Sequence, residues 1–369
     1  MSFITNIRSV AKYESKILVR SWFFRIFTLL AVVFLGFFNF AMMLMEDNFG
    51  LWFAKSVSSN IPYLNLLLLN TGQAVVAVFL SSEFLKRDKK LDTSEVFYVR
   101  PLSNAEYVVG KIWGNLRVFL FLNLLVLAIV LAFNFMASGV TVDLPAYLVY
   151  FFLISIPTLI FIIGLSIFLM LLLKNQALTF ILLLGYIGLT LFYIQDKFYY
   201  LFDYMVYNLP LFKSTIVGFS NLELILNHRA IYFFAGLGFI FFTIFLFKRL
   251  PNARRSHYPW LFLSFCMFLL MVTAGFRHVR SILREGEMRA LYTSINNKYV
   301  YEPKMAIDYY DISVEQKSET IRSVVGMEGT ALAASEVFIF CLNPGLRVEE
   351  VKDGEKSLNF KREEQILAV

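Results

Sequence analysis

The chain changes solvent partway along. About 275 residues are dominated by long apolar runs, and the roughly 90 that follow alternate apolar and polar residues with the period of a strand. Hydrocarbon about 30 Å thick is crossed by about 20 apolar residues in a helix, because only a helix or a closed barrel satisfies its own backbone there. Seven runs are long enough: roughly Trp22–Met45, Pro62–Ser82, Trp113–Met136, Pro145–Leu173, Ala177–Gln195, Ala230–Phe247 and Pro259–Phe276. Composition agrees, with 58% apolar and only 17% charged residues and a mean hydropathy of +0.65. The sequence therefore predicts an α-helical polytopic membrane protein followed by a small extracytoplasmic all-β domain.

Charge sets the orientation. The net +7 is a property of the membrane half, because residues 277–369 carry more Asp and Glu than Lys and Arg. With the N-terminus inside, the inner segments hold seventeen basic residues, among them Arg8, Lys12, Lys16, Arg20, Arg25, Arg100, Lys111 and Arg117. The outer loops hold four, Lys55, Lys197, Lys213 and Arg229. That asymmetry places the N-terminus in the cytoplasm and, after seven spans, the C-terminal module outside. Basic residues beside spans read as orientation signals and contacts with anionic membrane lipid, not as a nucleic-acid footprint. The first apolar run is too long for a cleaved signal peptide and is expected to act as its own insertion signal. Cys266 and Cys341 lie in different compartments and predict neither a disulfide nor a metal site.

Residues 1–21 precede the first span. Within them Ile7, Val10, Ile17 and Leu18 follow helical spacing, and Arg8, Lys12, Lys16 and Arg20 recur on another face. This is an interfacial amphipathic helix or, more simply, a basic anchor flanking a span. The inner loop 83–112 is charged yet organised. Leu91 to Val99 suits a short helix, Arg100-Pro101 breaks it, and Ser103 with Glu106 stands in capping-box spacing at the foot of the third span. Such a protrusion suits a soluble partner, although a solvated loop would have the same composition. Outside, residues 196–228 carry Phe198, Tyr199, Tyr200, Phe202, Tyr204, Tyr207 and Phe212, which predicts two short interfacial or re-entrant helices. Pro157, Gly164, Gly185 and Gly188 mark bends or close helix contacts.

Residues 277–303 form an amphipathic linker. From 304 to 369 the period is two, with strands expected at Ala306–Glu315, Ser323–Glu328, Val337–Leu342, Val348–Val351, Leu358–Lys361 and Gln365–Val369. Asn343-Pro344-Gly345 and Asp353-Gly354 supply turns. The last strand is expected to leave an edge unpaired, as if this β-domain were part of a larger one.

No HExxH, GxSxG or Walker-type phosphate loop occurs, and His228, His257 and His278 fall in different segments without helical partners. The sequence thus predicts no enzyme activity and no bound cofactor in this chain. Asp, Glu and Lys are absent from the middle of every span, where an ion-coupled carrier would keep them. The polar residues there are mild: Asn39, Gln73, Asn123, Ser155, Thr158 and Thr190. Energy for any transport would have to come from a partner.

Two segments carry a family resemblance. "VAKYESKILVRSWFF" resembles the elbow-helix start of type-2 ABC exporter permeases, with Tyr13, Glu14, Lys16 and Arg20 in the elbow and Ser21 leading into the first span. "SSEFLKRDKKLDTSEVFYVRPLSNAEYVVGKIWG" is similar to that family's loop after the second span, where Glu83, Arg87, Thr93, Glu95, Pro101, Tyr107, Gly110 and Lys111 match. The resemblance covers residues 1–250 and implies a six-span permease, to which this chain adds a seventh span. It also implies that the Thr93–Val99 helix, with Val96 and Phe97, docks on separate cytoplasmic ABC ATP-binding subunits that hold ATP and Mg. The permease would pair with a second copy or a related permease in a bacterial inner membrane. "YYDISVEQ" and "LNPGL" in the C-terminal module resemble the N-terminal β-domain of aminopeptidase N-like zinc metallopeptidases, whose zinc-binding helix is absent here. The implied function is an exporter permease driven by a partner ATPase. The alternative is a membrane anchor for an extracytoplasmic aminopeptidase domain encoded further downstream.

Overall fold

A computed structural model of the chain describes residues 3–44, 57–82, 102–136, 142–194, 197–209, 211, 213–214, 218–219, 221–247, 258–302, 304–317 and 320–369. Two compact units result, Met1–His278 and Val279–Val369.

In the first unit α1 (Phe3–Arg20) is the expected amphipathic helix, with only Ser21 between it and α2 (Trp22–Leu44). Then come α3 (Asn60–Ser82), α4 (Asn104–Met136) and α5 (Leu144–Tyr150). A π-helical turn, Phe151–Ser155, joins α5 to α6 (Ile156–Leu173). They are followed by α7 (Gln176–Phe192), α8 (Leu222–Leu246) and α9 (Tyr258–Lys298), whose residues beyond His278 belong to the second unit. Among the described residues, six helical segments are long and apolar enough to cross a membrane: α2, α3, α4, α5 through α6, α8 and α9. The chain is a multi-spanning helical membrane protein.

The expected fifth span differs. It is an apolar helix of 17 residues, begun by the Asn175 side chain on the Leu178 amide and ended at Phe192. At 1.5 Å per residue it is about 26 Å long, at the short end for a bilayer.

Close helix contact in the bundle comes from glycine. A Cβ on Gly164 of α6 would stand 2.6 Å from the Gly236 carbonyl of α8, and one on Gly236 would stand 2.7 Å from the Ile160 backbone. Backbones therefore touch without side chains between them, as small residues allow in membranes. Gly185 and Gly188 meet nothing within 4 Å and have no such role here.

Several polar residues in the bundle are paired with one another across helices. Asn39 and Asn65 exchange amide bonds at 2.7 and 3.1 Å. Asn70 donates to Asn123 Oδ1 and to Ser155 Oγ, and Asn123 in turn donates to Gln73 Oε1 at 2.7 Å. Ser81 donates to Ser166 at 2.8 Å. Thus α2, α3, α4, the π turn and α6 are stitched by neutral amides and hydroxyls.

The described residues of 196–228 do not form the expected pair of short helices, and α8 already begins at Leu222. Among the described residues of 197–221 there are a 3-10 turn at Phe198–Tyr200, further turns, and a hairpin of β1 (Lys213–Ser214) with β2 (Gly218–Phe219).

The second unit holds the end of α9 and three open sheets. One is the long antiparallel hairpin of β3 (Met305–Lys317) and β4 (Thr320–Ala331), with a register shift between Ile307 and Tyr309. Residues Val348–Val351 are not a strand. Pairing instead brackets the Asp353-Gly354 turn, where β6 (Lys352–Asp353) meets β7 (Lys356–Ser357) and Gly354 takes φ 60°. The third sheet has the order β5 (Ile339–Cys341), β9 (Ile366–Ala368), β8 (Lys361–Glu363). The last strand is therefore central, not the unpaired edge that sequence order suggested. This sheet is tied to α9 within the unit: Lys298 and Tyr299 both bind Glu363, and Gln365 donates to the Tyr292 carbonyl.

Those two donors hold the Glu363 carboxyl below its ordinary value. Its contribution to the sheet is thus complete above the free carboxylate value of about 4.3 and is lost as pH falls through the folded value. Amide protection of β8 and β9 should weaken below about pH 4 in the native chain. In Glu363→Gln it should lack that acid-dependent component, as hydrogen exchange followed by mass spectrometry would show.

Candidate functional site

The sequence expectation centred on two stretches. Glu83, Arg87, Thr93, Glu95, Val96, Phe97 and Pro101 all lie outside the described residues. The elbow residues are described, and they divide: Tyr13, Lys16 and Arg20 are exposed, while Glu14 is turned inward and buried.

Glu14 faces α4. Its Oε1 lies 3.1 Å from Lys111 Nζ, with the two side chains 4% and 1% exposed. What brings α1 so close is the Gly110-Lys-Ile-Trp-Gly114 stretch. A Cβ on Gly110 would be 2.7 Å from Val10 Cβ, and one on Gly114 would be 2.7 Å from Glu14 Cβ and 2.8 Å from the Ala11 carbonyl. Glycines one turn apart let the helices meet backbone to backbone. Arg117 then donates to Ser15 Oγ at 2.6 Å and to the Ala11 carbonyl at 2.7 Å, and Ser15 donates to the Gly114 carbonyl.

The foot of α4 is built as expected. Ser103 N donates to Glu106 Oε2, and Glu106 N donates to Ser103 Oγ at 3.2 Å, a reciprocal capping box. Glu106 Oε1 also accepts from Asn6 Nδ2 at 2.9 Å, so the first turn of α1 shares the cap. The end of α8 arrives at the same place. Asn104 Nδ2 donates to the Phe247 carbonyl, and the Tyr107 and Phe247 rings stack with centroids 5.5 Å apart. Lys111 Nζ lies 5.0 Å from the Tyr107 ring. Three helix ends thus form one rigid clamp, in which the basic residues Arg8, Lys12, Lys16 and Arg20 of α1 remain exposed.

A second polar centre escaped the sequence analysis. Pro157 has no amide proton, so the Leu153 carbonyl one turn earlier lacks its helical donor. Arg229, counted above as an outer-loop charge, fills the gap from inside α8. Its Nε donates to Leu153 O at 2.6 Å and its terminal nitrogens to Tyr204 O at 2.9 Å and Thr158 Oγ1 at 2.8 Å. Asp203 is buried nearby. Its carboxyl is raised above the usual range by that burial, despite the bond from Asn208 N and the Arg229 charge. Beside them His228 and His278 come together with ring centroids 5.1 Å apart, although their segments are 50 positions apart in sequence. Pro157 within a span was the one available signal of a carbonyl in need of a donor; nothing local pointed to Arg229 or to the histidine pair.

Among the described residues no group of three or more His, Cys, Asp or Glu could hold a metal ion. No known family matches the chain, and no curated protein is similar to it.

Two outcomes test the geometry. Removing one partner of a buried ion pair costs about 3–5 kcal/mol, whereas replacing both with apolar residues is often neutral. Glu14→Gln and Lys111→Met should each lower the thermal midpoint in detergent, and Glu14→Leu combined with Lys111→Met should recover at least half of the loss. Arg229→Met leaves several buried acceptors without donors, at about 1–3 kcal/mol each. It should lower the midpoint more than Arg117→Met, whose partners are only partly buried.

Proposed function

We propose that the chain is the membrane-spanning, force-receiving subunit of an ATP-driven exporter. Energy would be supplied by separate cytoplasmic nucleotide-binding subunits acting on residues 83–112. The observation that carries this is the clamp. The predicted docking segment runs directly into the capping box of α4, and α4 is fastened at that point to α1 through the buried Glu14–Lys111 pair. A push on the segment would then move α1 and α4 as one body. The polar layer joining α3, α4 and the π turn also favours an external energy source, since it is built of neutral amides and hydroxyls and offers no carboxylate–cation relay.

A second reading, which rests on the resemblance of the C-terminal module alone, is that the spans position an extracytoplasmic peptidase domain. Deleting 279–369 separates the two: transport that survives the deletion excludes a mere anchor.

In proteoliposomes containing this chain and its copurified ATPase, Arg87→Glu or Glu95→Lys should abolish the dependence of ATP hydrolysis on the membrane subunit. Each subunit should still fold, as judged by size-exclusion profile. Hydrolysis and coupled transport at wild-type levels in both variants would overturn the exporter assignment.

A further inference from the structure

The outer strap, residues 197–209, is held down by side chains rather than by regular backbone pairing. Three consecutive carbonyls each take a donor from a neighbouring helix. Tyr199 O accepts from His278 Nε2 at 2.9 Å, Tyr200 O from His228 Nε2 at 3.0 Å, and Leu201 O from the Tyr232 hydroxyl. The segment needs such support, because Phe198, Tyr199 and Tyr200 have φ of 52°, 58° and 62°. Non-glycine residues in that left-handed region are disfavoured, and three in succession persist only when their surroundings impose them.

Both imidazoles are completely buried. A carbonyl can only accept, so each Nε2 carries a proton; complete burial favours the neutral ring, whose lone pair then lies on Nδ1. Neither Nδ1 has a hydrogen-bond partner. The charged side chains around the pair offer no compensation for added charge, while the Leu224 carbonyl of α8, beside His278, favours it. Arg229, next to His228 on α8, is itself a buried cation, and Tyr232 lies edge-on to the His228 ring at 5.3 Å. Arg277, next to His278 on α9, is paired at 3.3 Å with Glu223 of α8, and both are exposed. On the strap Asp203 is buried and accepts from Asn208 N, while Tyr199 and Tyr200 contribute only their carbonyls to the pair.

We propose that His228 and His278 form an acid-released latch, which holds the strap closed while both rings are neutral and frees it when they take up protons. Two imidazolium ions about 5 Å apart in a buried site, beside a guanidinium, repel strongly. Protons therefore enter when the strap lifts and the rings reach solvent, where histidine titrates near 6.5. Closure is fully favoured above that value and weakens as pH falls below it. Linkage makes the opening constant rise about tenfold per pH unit for each histidine, hence about a hundredfold for the pair. The device is independent of what, if anything, the bundle transports.

The test is hydrogen exchange of the purified full chain in lipid nanodiscs from pH 8 to pH 5, corrected for the intrinsic pH dependence of amide exchange. Peptides covering 197–209 should show a constant opening equilibrium above about pH 7 and a rise of about a hundredfold per unit below about 6. His228→Gln together with His278→Gln keeps side-chain N–H donors but cannot take up charge, and should abolish the rise. Either single Gln variant should reduce it to about tenfold per unit. Asp203→Asn should leave the wild-type slope intact, which separates the latch from titration of that carboxyl. A flat wild-type profile from pH 8 to pH 5 overturns the proposal, and so does an undiminished slope in either single variant. These two results need no folded double variant.

Discussion

Hydrocarbon provides no water to satisfy a stray donor or acceptor, so a backbone carbonyl freed inside the bundle is costly unless another part of the chain answers it. Pro157 makes the sharpest demand. Its missing amide and the π turn before it leave carbonyls at Leu153 and Ile154 poorly served by the helix, and Arg229 reaches both, at 2.6 and 3.4 Å. That single side chain also binds Tyr204 O, so the satisfaction of a helix break and the placement of the strap are one event. The Asn70–Asn123–Ser155 layer solves the same problem more gently, with neutral groups whose burial costs less than that of an ion.

Much of this architecture was legible because it is written in local patterns. Apolar length marked the spans, four-residue recurrence marked α1, Ser103 and Glu106 marked the start of α4, and Asp353-Gly354 marked a hairpin turn. The features that were missed depend on contacts distant in sequence. Arg229 looks like an ordinary flanking charge until Pro157, 72 positions earlier, supplies its acceptors. Strand order is another such case, since β9 reaches its central place by pairing on both sides with strands that precede it. The candidate clamp lies between these extremes. Glu14, Gly110 and Lys111 stood out individually through resemblance, but only packing shows that the glycines bring the two charges together.

The clamp also shows how a buried charge pair can be kept in the bundle. An isolated ion in such a place is costly, and even a pair is only marginally favourable once desolvation is counted. Here the helices meet so closely at Gly110 and Gly114 that the pair is fixed by backbone geometry and supported by the hydrogen bonds of Arg117 and Ser15. Its consequence is register: sliding α1 along α4 would bury each charge alone.

Helix α4 is what makes that register matter beyond the clamp. Its 33 residues extend about 50 Å, enough to run from one side of a bilayer to the other. Along that length it carries Lys111 in the clamp, Asn123 in the polar layer, and Asn134, which donates to the Tyr147 hydroxyl at 3.0 Å. Asn123 touches Ser155, the last residue of the π turn, and the same turn presents Leu153 to Arg229 and through it meets the strap. Contiguity alone does not transmit anything; coupling requires an element with two alternative arrangements. The π turn is the natural place for one, because side chains on α3, α4 and α8 bind its Ser155 hydroxyl and Leu153 carbonyl in addition to its own backbone pairing, so a shift of α4 changes those partners directly.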